Sequence, residues 1–271
     1  MAKIQLGVLF GSRSCEREVA IISAVQLMNH VDTEKYDVIP VYISEQGVWY
    51  TGAPLRDIKN YTPFNPDMKG IDQVALDITA GSGALIANRP GKGLFGHPTQ
   101  EVVARLEVCV IVMHGLNGED GTLQGFLQMM GVPFVGCDVL SSAVGMDKYV
   151  MKTVLKDNGI PVLDCKCYTS DQYDDDVDVL VSEIEKEIGY PVIVKPVNLG
   201  SSIGISKAED RNELYASLET AFAYASKVLI ERAVQNLKEI NCSVLGDYSS
   251  AEASECEEPV SSDKILTFAE K

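Results

Sequence analysis

The sequence predicts an α/β protein that opens with a doubly wound parallel sheet and continues as an α+β domain. Over the first third, short apolar segments alternate with a segment of helical periodicity, which is the order expected for an open parallel sheet. The continuous apolar run at 106–113 is typical of a strand buried on both faces of such a sheet. Beyond residue 140 the pattern changes to helices mixed with short strands. We therefore predict two domains, over residues 1–140 and 141–271.

Each element of the first domain has its own signal. Short apolar runs indicate the strands, and apolar residues spaced three and four apart indicate the helices. The predicted order is a strand at 4–10, a turn at 11–14, a helix at 16–29, and strands at 36–43 and 106–113, followed by a helix at 121–130 and a strand at 132–136. The stretch 52–96 is rich in Gly, Pro and Asp and weakly periodic, so we expect irregular loops and small strands there.

The second domain is predicted by the same signals. Its elements are helices at 141–158 and 181–188, strands at 190–197 and 203–208, a helix from about 210, and strands at 227–234 and 239–246. The acidic run at 171–178 predicts a solvated loop or a helix start. Because most strands follow one another closely, we expect mainly hairpin connections.

Composition excludes several classes of partner. A net charge of −16 argues against a nucleic-acid backbone or an anionic membrane surface. No apolar run approaches the roughly 20 residues that a membrane-spanning helix needs, and the N-terminus lacks the layout of a signal peptide. The seven cysteines are scattered and odd in number, which favours a reducing cytoplasm. Cys165 and Cys167 have no second Cys/His pair, so two strand residues are the preferred interpretation over a metal site.

The segment "GSRSCEREVA" at 11–20 places acidic residues where a strand turns into a helix. Glu16 and Glu18 in a first helical turn can simply complement the helix dipole. Alternatively, a carboxylate at the carboxyl edge of a parallel sheet can bind a cationic group such as an amine. Dinucleotide binding is disfavoured, because the pattern G-x-G-x-x-G is absent.

The segment "MHGLNGEDGTLQG" at 113–125 contains a second candidate, His114, at the end of the buried strand. A lone histidine is usually structural, but the carboxyl end of a central strand that opens into a glycine-rich loop is where α/β sheets bind ligands. Glu119, Asp120 and Thr122 are interpreted as helix-start residues.

The segment "KPVNLGSSIG" at 195–204 ends an apolar strand with Lys195 and continues into a Gly-Ser loop. Such a lysine beside flexible backbone suggests phosphate binding. Because the loop joins two strands, the sequence predicts a flap and excludes a Walker-A cradle. Lys148 on a helix is a surface lysine by default. Glu231 and Glu239, at strand ends, are either surface charges or, if their strands are adjacent, contacts to adenine and ribose.

Together these segments carry a family pattern. The matching pieces are "GSRSCEREV", "MHGLNGEDGTLQG", "VPFVGCDVLSSAVGMDK", "GYPVIVKPVNLGSSIGISK", "VLIER" and "ILTFAEK". In this order they resemble the D-alanine–D-alanine ligases of the ATP-grasp superfamily. The resemblance implies an N-terminal Rossmann-like (pre-ATP-grasp) domain followed by an α+β ATP-grasp domain.

The resemblance also implies roles for individual residues. Glu16 matches the glutamate that holds the amino group of the first D-alanine, and His114 the histidine near its carboxylate. Ser201 matches the loop serine that is linked to this glutamate by hydrogen bonds. The implied ATP contacts are Lys148 and Lys195 on the phosphates, Gly200, Ser201, Ser202 and Gly204 in the loop, Glu231, Ala233 and Glu239 around adenine and ribose, and Lys271 in a mobile loop.

The implied reaction is ATP-dependent formation of D-alanyl-D-alanine through an acylphosphate, for peptidoglycan precursors, in a cytoplasmic homodimer. Family members continue past Lys271, and the Mg²⁺ ligands are expected in that continuation, with none in this chain. We therefore expect ATP and Mg²⁺ as cofactors and little ligase activity from residues 1–271 alone. A small departure is Ala20, where many relatives have serine.

Three alternatives stay open. A relative that joins D-alanine to D-serine or D-lactate would share the same motifs, and so would a non-catalytic nucleotide-binding fragment. An oxidoreductase is disfavoured by the missing dinucleotide fingerprint.

Overall fold

The computed structural model describes residues 2–91, 97–247 and 249–259. The chain forms two compact units, Met1–Met151 and Lys152–Lys271. The domain boundary after residue 140 stays a prediction. No helix among the described residues is long and apolar enough to cross a membrane.

The first unit contains one sheet and its covering helices. Its strands are β1 (Ile4–Gly11), β2 (Tyr36–Ile43), β3 (Trp49–Thr51), β4 (Asp72–Leu76), β5 (Ala84–Arg89), β6 (Thr99–Arg105), β7 (Val108–Val112) and β8 (Phe134–Val135). Its α-helices are α1 (Arg17–His30), α2 (Thr122–Met129) and α3 (Val139–Met146), and two short 3₁₀ helices span Ala53–Arg56 and Ile58–Asn60. Helix α4 (Lys148–Asp157) contains the boundary between the units.

The sheet of the first unit has eight strands in the order β6-β5-β4-β3-β2-β1-β7-β8. Strands β2, β1, β7 and β8 are parallel, so the predicted parallel sheet is confirmed for this half. From β2 to β6 every pairing is antiparallel. The small strands expected within 52–96 are observed as β4 and β5 of this arm. The periodicity of this stretch is weak because these strands are short and only partly buried.

Two cores cover the two faces of this sheet. Successive residues of β1 alternate between them, with Leu9 in one and Phe10 in the other, both fully buried. Helix α2 packs into the first core through Leu127, and helix α1 into the second through Ile21 and Ala24. Burial on both faces explains why β1 has no polar side chain from Leu6 to Phe10.

The second unit is built around a smaller sheet. Its elements are β9 (Cys165–Thr169), α5 (Ser170–Asp175), α6 (Val177–Glu187), β10 (Val192–Pro196), β11 (Ser206–Ala208), α7 (Arg211–Phe222), β12 (Lys227–Arg232), β13 (Val244–Gly246) and β14 (Ala251–Ala253). Strands β11, β10, β12 and β9 form an antiparallel sheet in that order, whereas β13 and β14 pair separately. Helices α6 and α7 close its core through Ile184 and Leu218.

Several predicted elements differ from the observed ones. The single helix expected at 141–158 is divided at Asp147, whose carboxylate accepts hydrogen bonds from the N–H groups of Tyr149 and Val150 and so starts α4 anew. The acidic run contains the start of α6, because Asp176 caps this helix. Direct hairpins join β10 to β11 and β13 to β14, whereas β9 reaches β10, and β11 reaches β12, through helices.

Candidate functional site

Glu16 is a buried acid at the carboxyl end of the central strand β1. It follows a turn in which Gly11 and Ser12 have φ values of +94° and +106°. The Ser14 hydroxyl accepts a hydrogen bond from the Glu16 N–H at 3.0 Å, which fixes the turn. Glu16 is only 5% exposed. The strand therefore delivers a carboxylate into the interior just before helix α1 begins.

His114 lies beside this carboxylate at the end of the neighbouring strand β7. Its Nε2 is 3.4 Å from the Ser23 hydroxyl on α1, and its Nδ1 is 3.9 Å from Glu119 Oε1. Interaction with the Glu119 carboxylate raises the pKa of His114 against the opposing effect of burial, and the charge of Glu16 raises it further. The pKa of Glu119 is lowered by the same pairing. The structure thus brings Glu16 and His114 together, with opposite charges when the histidine is protonated.

Glu119 is a site residue that the sequence interpretation missed. Helix α2 begins later, at Thr122, with Gly121 before it in the left-handed conformation. Glu119 Oε2 instead accepts a hydrogen bond from the Gly115 N–H at 2.7 Å. Asp120 and Thr122 do lie at the helix start, because Asp120 Oδ1 accepts from the Thr122 N–H at 2.9 Å. The dense Gly-Glu-Asp-Gly spacing indicated a tight turn but not which acid faces His114.

A cavity of about 350 Å³ opens beside the turn that precedes Glu16. Its lining is mainly apolar and includes Ser12, Arg13, Trp49, Met113 and Phe126. The rings of Trp49 and Phe126 meet edge to face with centroids 6.0 Å apart. The carboxyl end of the sheet therefore has both a polar pair and an apolar recess.

The second unit holds a buried acid between two lysines. Glu231 on β12 receives hydrogen bonds from Lys195 on the adjacent strand β10 and from Lys152 on α4, one lysine on each carboxylate oxygen. The side chains of Lys152, Lys195 and Glu231 are only 14%, 19% and 7% exposed. Burial alone would raise the pKa of Glu231, but the two lysines outweigh it and hold the pKa below its ordinary value. This cluster carries one excess positive charge, as expected for a site that takes an anion.

The sequence interpretation of Glu231 changes accordingly. It is neither a surface charge nor on a strand beside Glu239, because β13 pairs with β14 and Glu239 lies in an exposed loop. Lys152 was missed altogether, although it follows the singled-out Lys148 by four residues on the same helix. Residues four apart lie on the same face of a helix, so this spacing placed Lys152 beside Lys148.

The loop after Lys195 has a backbone suited to close contacts. Ser201, Ser202 and Gly204 have φ values of +50°, +61° and +68°. The Gly200 carbonyl accepts a hydrogen bond from the Ile203 N–H at 3.2 Å, which tightens the turn. The loop joins antiparallel strands β10 and β11, so the predicted strand-to-strand flap is confirmed as a connection.

The remaining predicted residues are placed as follows. Ala233 is buried just after β12, and its N–H donates to the Pro191 carbonyl at 2.9 Å. Lys148 is the first residue of α4 and half-buried. Lys271 lies outside the described residues. The link from Ser201 to Glu16 would join the two units and stays a prediction. The described part of the chain contains no group of three His, Cys, Asp or Glu side chains that could hold a metal ion.

Comparison with known proteins identifies the family of this chain. The family model described as the D-ala D-ala ligase N-terminus matches residues 5–137, and that of the C-terminus matches residues 154–271. D-alanine–D-alanine ligases of Thermosipho melanesiensis and Caldicellulosiruptor bescii are 38% and 42% identical over 99% and 91% of this chain. The chain spans 69% and 64% of their respective lengths.

Solved structures agree with this. The VanG D-Ala:D-Ser ligase of Enterococcus faecalis matches 95% of this chain and 70% of its own with a TM-score of 0.79 and 31% identity. The D-alanine–D-alanine ligase of Helicobacter pylori matches 94% of this chain and 71% of its own with a TM-score of 0.78 and 27% identity. The fold is that of ligases of the ATP-grasp class. The chain belongs to the D-alanine–D-alanine ligase family.

Proposed function

We propose that this protein joins two D-alanine molecules to D-alanyl-D-alanine at the expense of ATP, for peptidoglycan precursor synthesis. The observation that carries the proposal is the buried cluster of Lys152, Lys195 and Glu231 with its excess positive charge, at the base of a Gly-Ser loop. Such a cluster suits the phosphates of a nucleotide. The names of the relatives supply the amino-acid substrates.

The first D-alanine is assigned to the polar pair of the first unit. The Glu16 carboxylate takes the ammonium group, and His114 takes the carboxylate. The raised pKa of His114 supports this role, because it keeps more of the ring protonated near neutral pH. Glu119 contacts both the His114 ring and the Gly115 N–H, so it stabilises the conformation of this loop.

The nucleotide is assigned mainly to the second unit, and Lys148, which lies on the part of α4 that belongs to the first unit, is a further proposed contact. Lys195 and Lys148 neutralise phosphate charge, and the loop residues Gly200, Ser201, Ser202 and Gly204 approach the phosphates with main-chain and hydroxyl groups. Glu231 and the backbone at Ala233 contact adenine. Glu239 is exposed, and its ribose contact belongs to the same proposal.

The chemistry then has two steps. A carboxylate oxygen of the first D-alanine attacks the γ-phosphorus of ATP, the bond to the bridging oxygen breaks, and ADP leaves. The amine of the second D-alanine attacks the acylphosphate carbon, loses a proton, and displaces phosphate. The protein aligns charged reactants and balances developing negative charge.

Three further features complete the proposal. Mg²⁺ is expected from the family resemblance, but the described residues hold no metal-binding group, so no step above is derived through a metal. A cytoplasmic location fits a chain whose seven cysteines are all free thiols. A homodimer is proposed from the family resemblance alone.

A second candidate is the ligation of D-alanine to D-serine, which the match to the VanG ligase favours. The two activities differ by one hydroxyl on the second substrate, which a few polar contacts discriminate. The test supplies the purified full-length protein with MgATP and D-alanine, alone or in competition with D-serine or D-lactate, and measures phosphate and the dipeptide or depsipeptide formed. D-Alanyl-D-alanine as the main product supports the proposal. Phosphate release that is independent of any D-amino acid contradicts it.

A further inference from the structure

Lys152 is a partly buried lysine that the proposed reaction does not yet use. Its Nζ donates hydrogen bonds to Glu231 Oε2 and, at 2.9 Å, to the Leu163 carbonyl. The second contact ties the ammonium group to the main chain. Two hydrogen bonds therefore fix the position of the Lys152 ammonium group, so it is not free to move toward a bound ligand.

Glu231 connects Lys152 to the proposed nucleotide site, because its carboxylate contacts both Lys152 and Lys195. One carboxylate oxygen is held by Lys152 and the other by Lys195. A carboxylate offers about four lone-pair positions, so two remain for a further donor. Because the carboxylate is fixed at one oxygen, the direction of the remaining lone pairs and the position of the Lys195 ammonium are fixed as well.

We propose that Lys152 is a positioning residue for the nucleotide. It orients the Glu231 carboxylate so that Oε1 holds Lys195 ready for phosphate and the free lone pairs accept the amino group of adenine. This inference rests on the proposed function, and it names Lys152 as a determinant of both nucleotide affinity and base selectivity.

The charge balance gives a second reason for this role. With both lysines present the cluster has a net charge of +1, so Lys195 is only partly neutralised by Glu231. Without Lys152, Glu231 and Lys195 form a neutral buried pair, and a phosphate must compete with the full carboxylate for the same ammonium group. Removal of Lys152 therefore weakens phosphate binding even where the phosphate never touches it.

The test compares Lys152→Met and Lys152→Arg with Lys156→Met. Lys156 lies one turn further along α4 and pairs with Asp164 on the surface, where both side chains are more than two-thirds exposed, so it is the matched control. Dissociation constants are measured by calorimetry for ATP and for inosine triphosphate, whose base has a carbonyl oxygen in place of the amino group. Thermal unfolding without nucleotide establishes that each variant is folded.

For Lys152→Met we expect ATP to bind roughly tenfold more weakly, the scale on which residues that orient a ligand's partner usually act. We also expect a smaller loss for inosine triphosphate, so the preference for adenine shrinks. The KM for ATP rises while kcat at saturating ATP stays near the original value, and Lys152→Arg restores most of the affinity. Lys156→Met leaves both constants unchanged.

Equal ATP affinity and equal base preference in the original protein and Lys152→Met overturn this inference alone. If the original protein does not bind ATP, the proposed function and the inference fail together. If Lys152→Met does not fold, Lys152→Gln takes its place, because it removes the charge but keeps a polar side chain with a hydrogen-bond donor. A folded Gln variant with unchanged ATP affinity and base preference overturns the inference equally.

Discussion

The main chain of Gly115 lies directly against the carboxylate of Glu16. A Cβ atom built on Gly115 would be 2.5 Å from Glu16 Oε2 and 2.7 Å from the Ser14 hydroxyl. Gly115 also has a φ of +70°, which side chains rarely adopt. The loop after β7 can therefore close on the buried acid only because this position is glycine.

Gly115→Ala, made in the full-length protein like the other variants below, tests this close approach. The added methyl must push Glu16 aside, so we expect the KM for the first D-alanine to rise about tenfold or more. Gly81→Ala is the matched control, because Gly81 has a similar φ of +78° but nothing within 4 Å of its Cβ position. Both variants incur the backbone cost of about 1–2 kcal/mol in unfolding free energy, but only Gly115→Ala should affect D-alanine. Equal D-alanine kinetics in both would contradict the contact's role.

Glu119→Gln tests the electrostatic coupling to His114. Loss of the Glu119 charge removes the largest influence that raises the pKa of His114, so this pKa should fall in the variant. The amide oxygen can still accept from the Gly115 N–H, which preserves the loop. An NMR titration of the His114 imidazole signals in the original protein and in Glu119→Gln measures the change.

The raised pKa of His114 fixes how stability and D-alanine binding change with pH. Because the native pKa of His114 is raised, its contribution to stability is complete below the ordinary value of about 6.5. That contribution is lost as the pH rises through the native pKa. The KM for D-alanine should follow the same titration and rise at the alkaline side. A His114 titration that is the same in Glu119→Gln and in the original protein would refute the coupling.

Lys195→Ala tests the phosphate assignment. Glu231 keeps its contact to Lys152 in this variant, so the sheet should stay folded while the phosphate partner is lost. We expect the KM for ATP to rise by about ten- to a hundredfold. Lys207→Ala, in the neighbouring strand β11, removes an exposed lysine paired with Glu209 and should leave ATP kinetics unchanged. Unaltered ATP kinetics in Lys195→Ala would return this lysine to a structural role.

Gly204→Ala tests the backbone of the loop. At a φ of +68°, an added Cβ would lie 2.9 Å from Pro196 Cγ and 3.2 Å from the Tyr224 ring. The loop must shift, so we expect weaker ATP binding in addition to the backbone cost of about 1–2 kcal/mol. Gly159→Ala has a φ of +75° and open space around the new methyl, and it isolates that cost. Thermal unfolding and ATP titration of both variants separate the two effects. Equal ATP affinity in the two variants would show that the backbone position of this loop does not affect ATP binding.

Much of the fold, and the family resemblance, could be predicted from the sequence. The apolar runs of β1 and β7 predicted these two strands near their observed bounds, because both faces of the sheet are covered there. Local rules also indicated the acidic start of α6 and the strand-to-strand loop after Lys195. These signals are local, because they depend on periodicity, caps and glycine positions along the chain.

Only the tertiary structure decided which charges meet. Glu231 had the pattern of a surface acid at the end of a strand, and Lys152 the pattern of an exposed helical lysine, yet the two are buried together across 79 positions of sequence. Glu119 likewise faces His114 because it lies in the turn that begins at Gly115, three residues before α2 starts at Thr122. Ion pairs of this kind depend on the packing of separate elements, and sequence periodicity contains no information about which side chains that packing brings together.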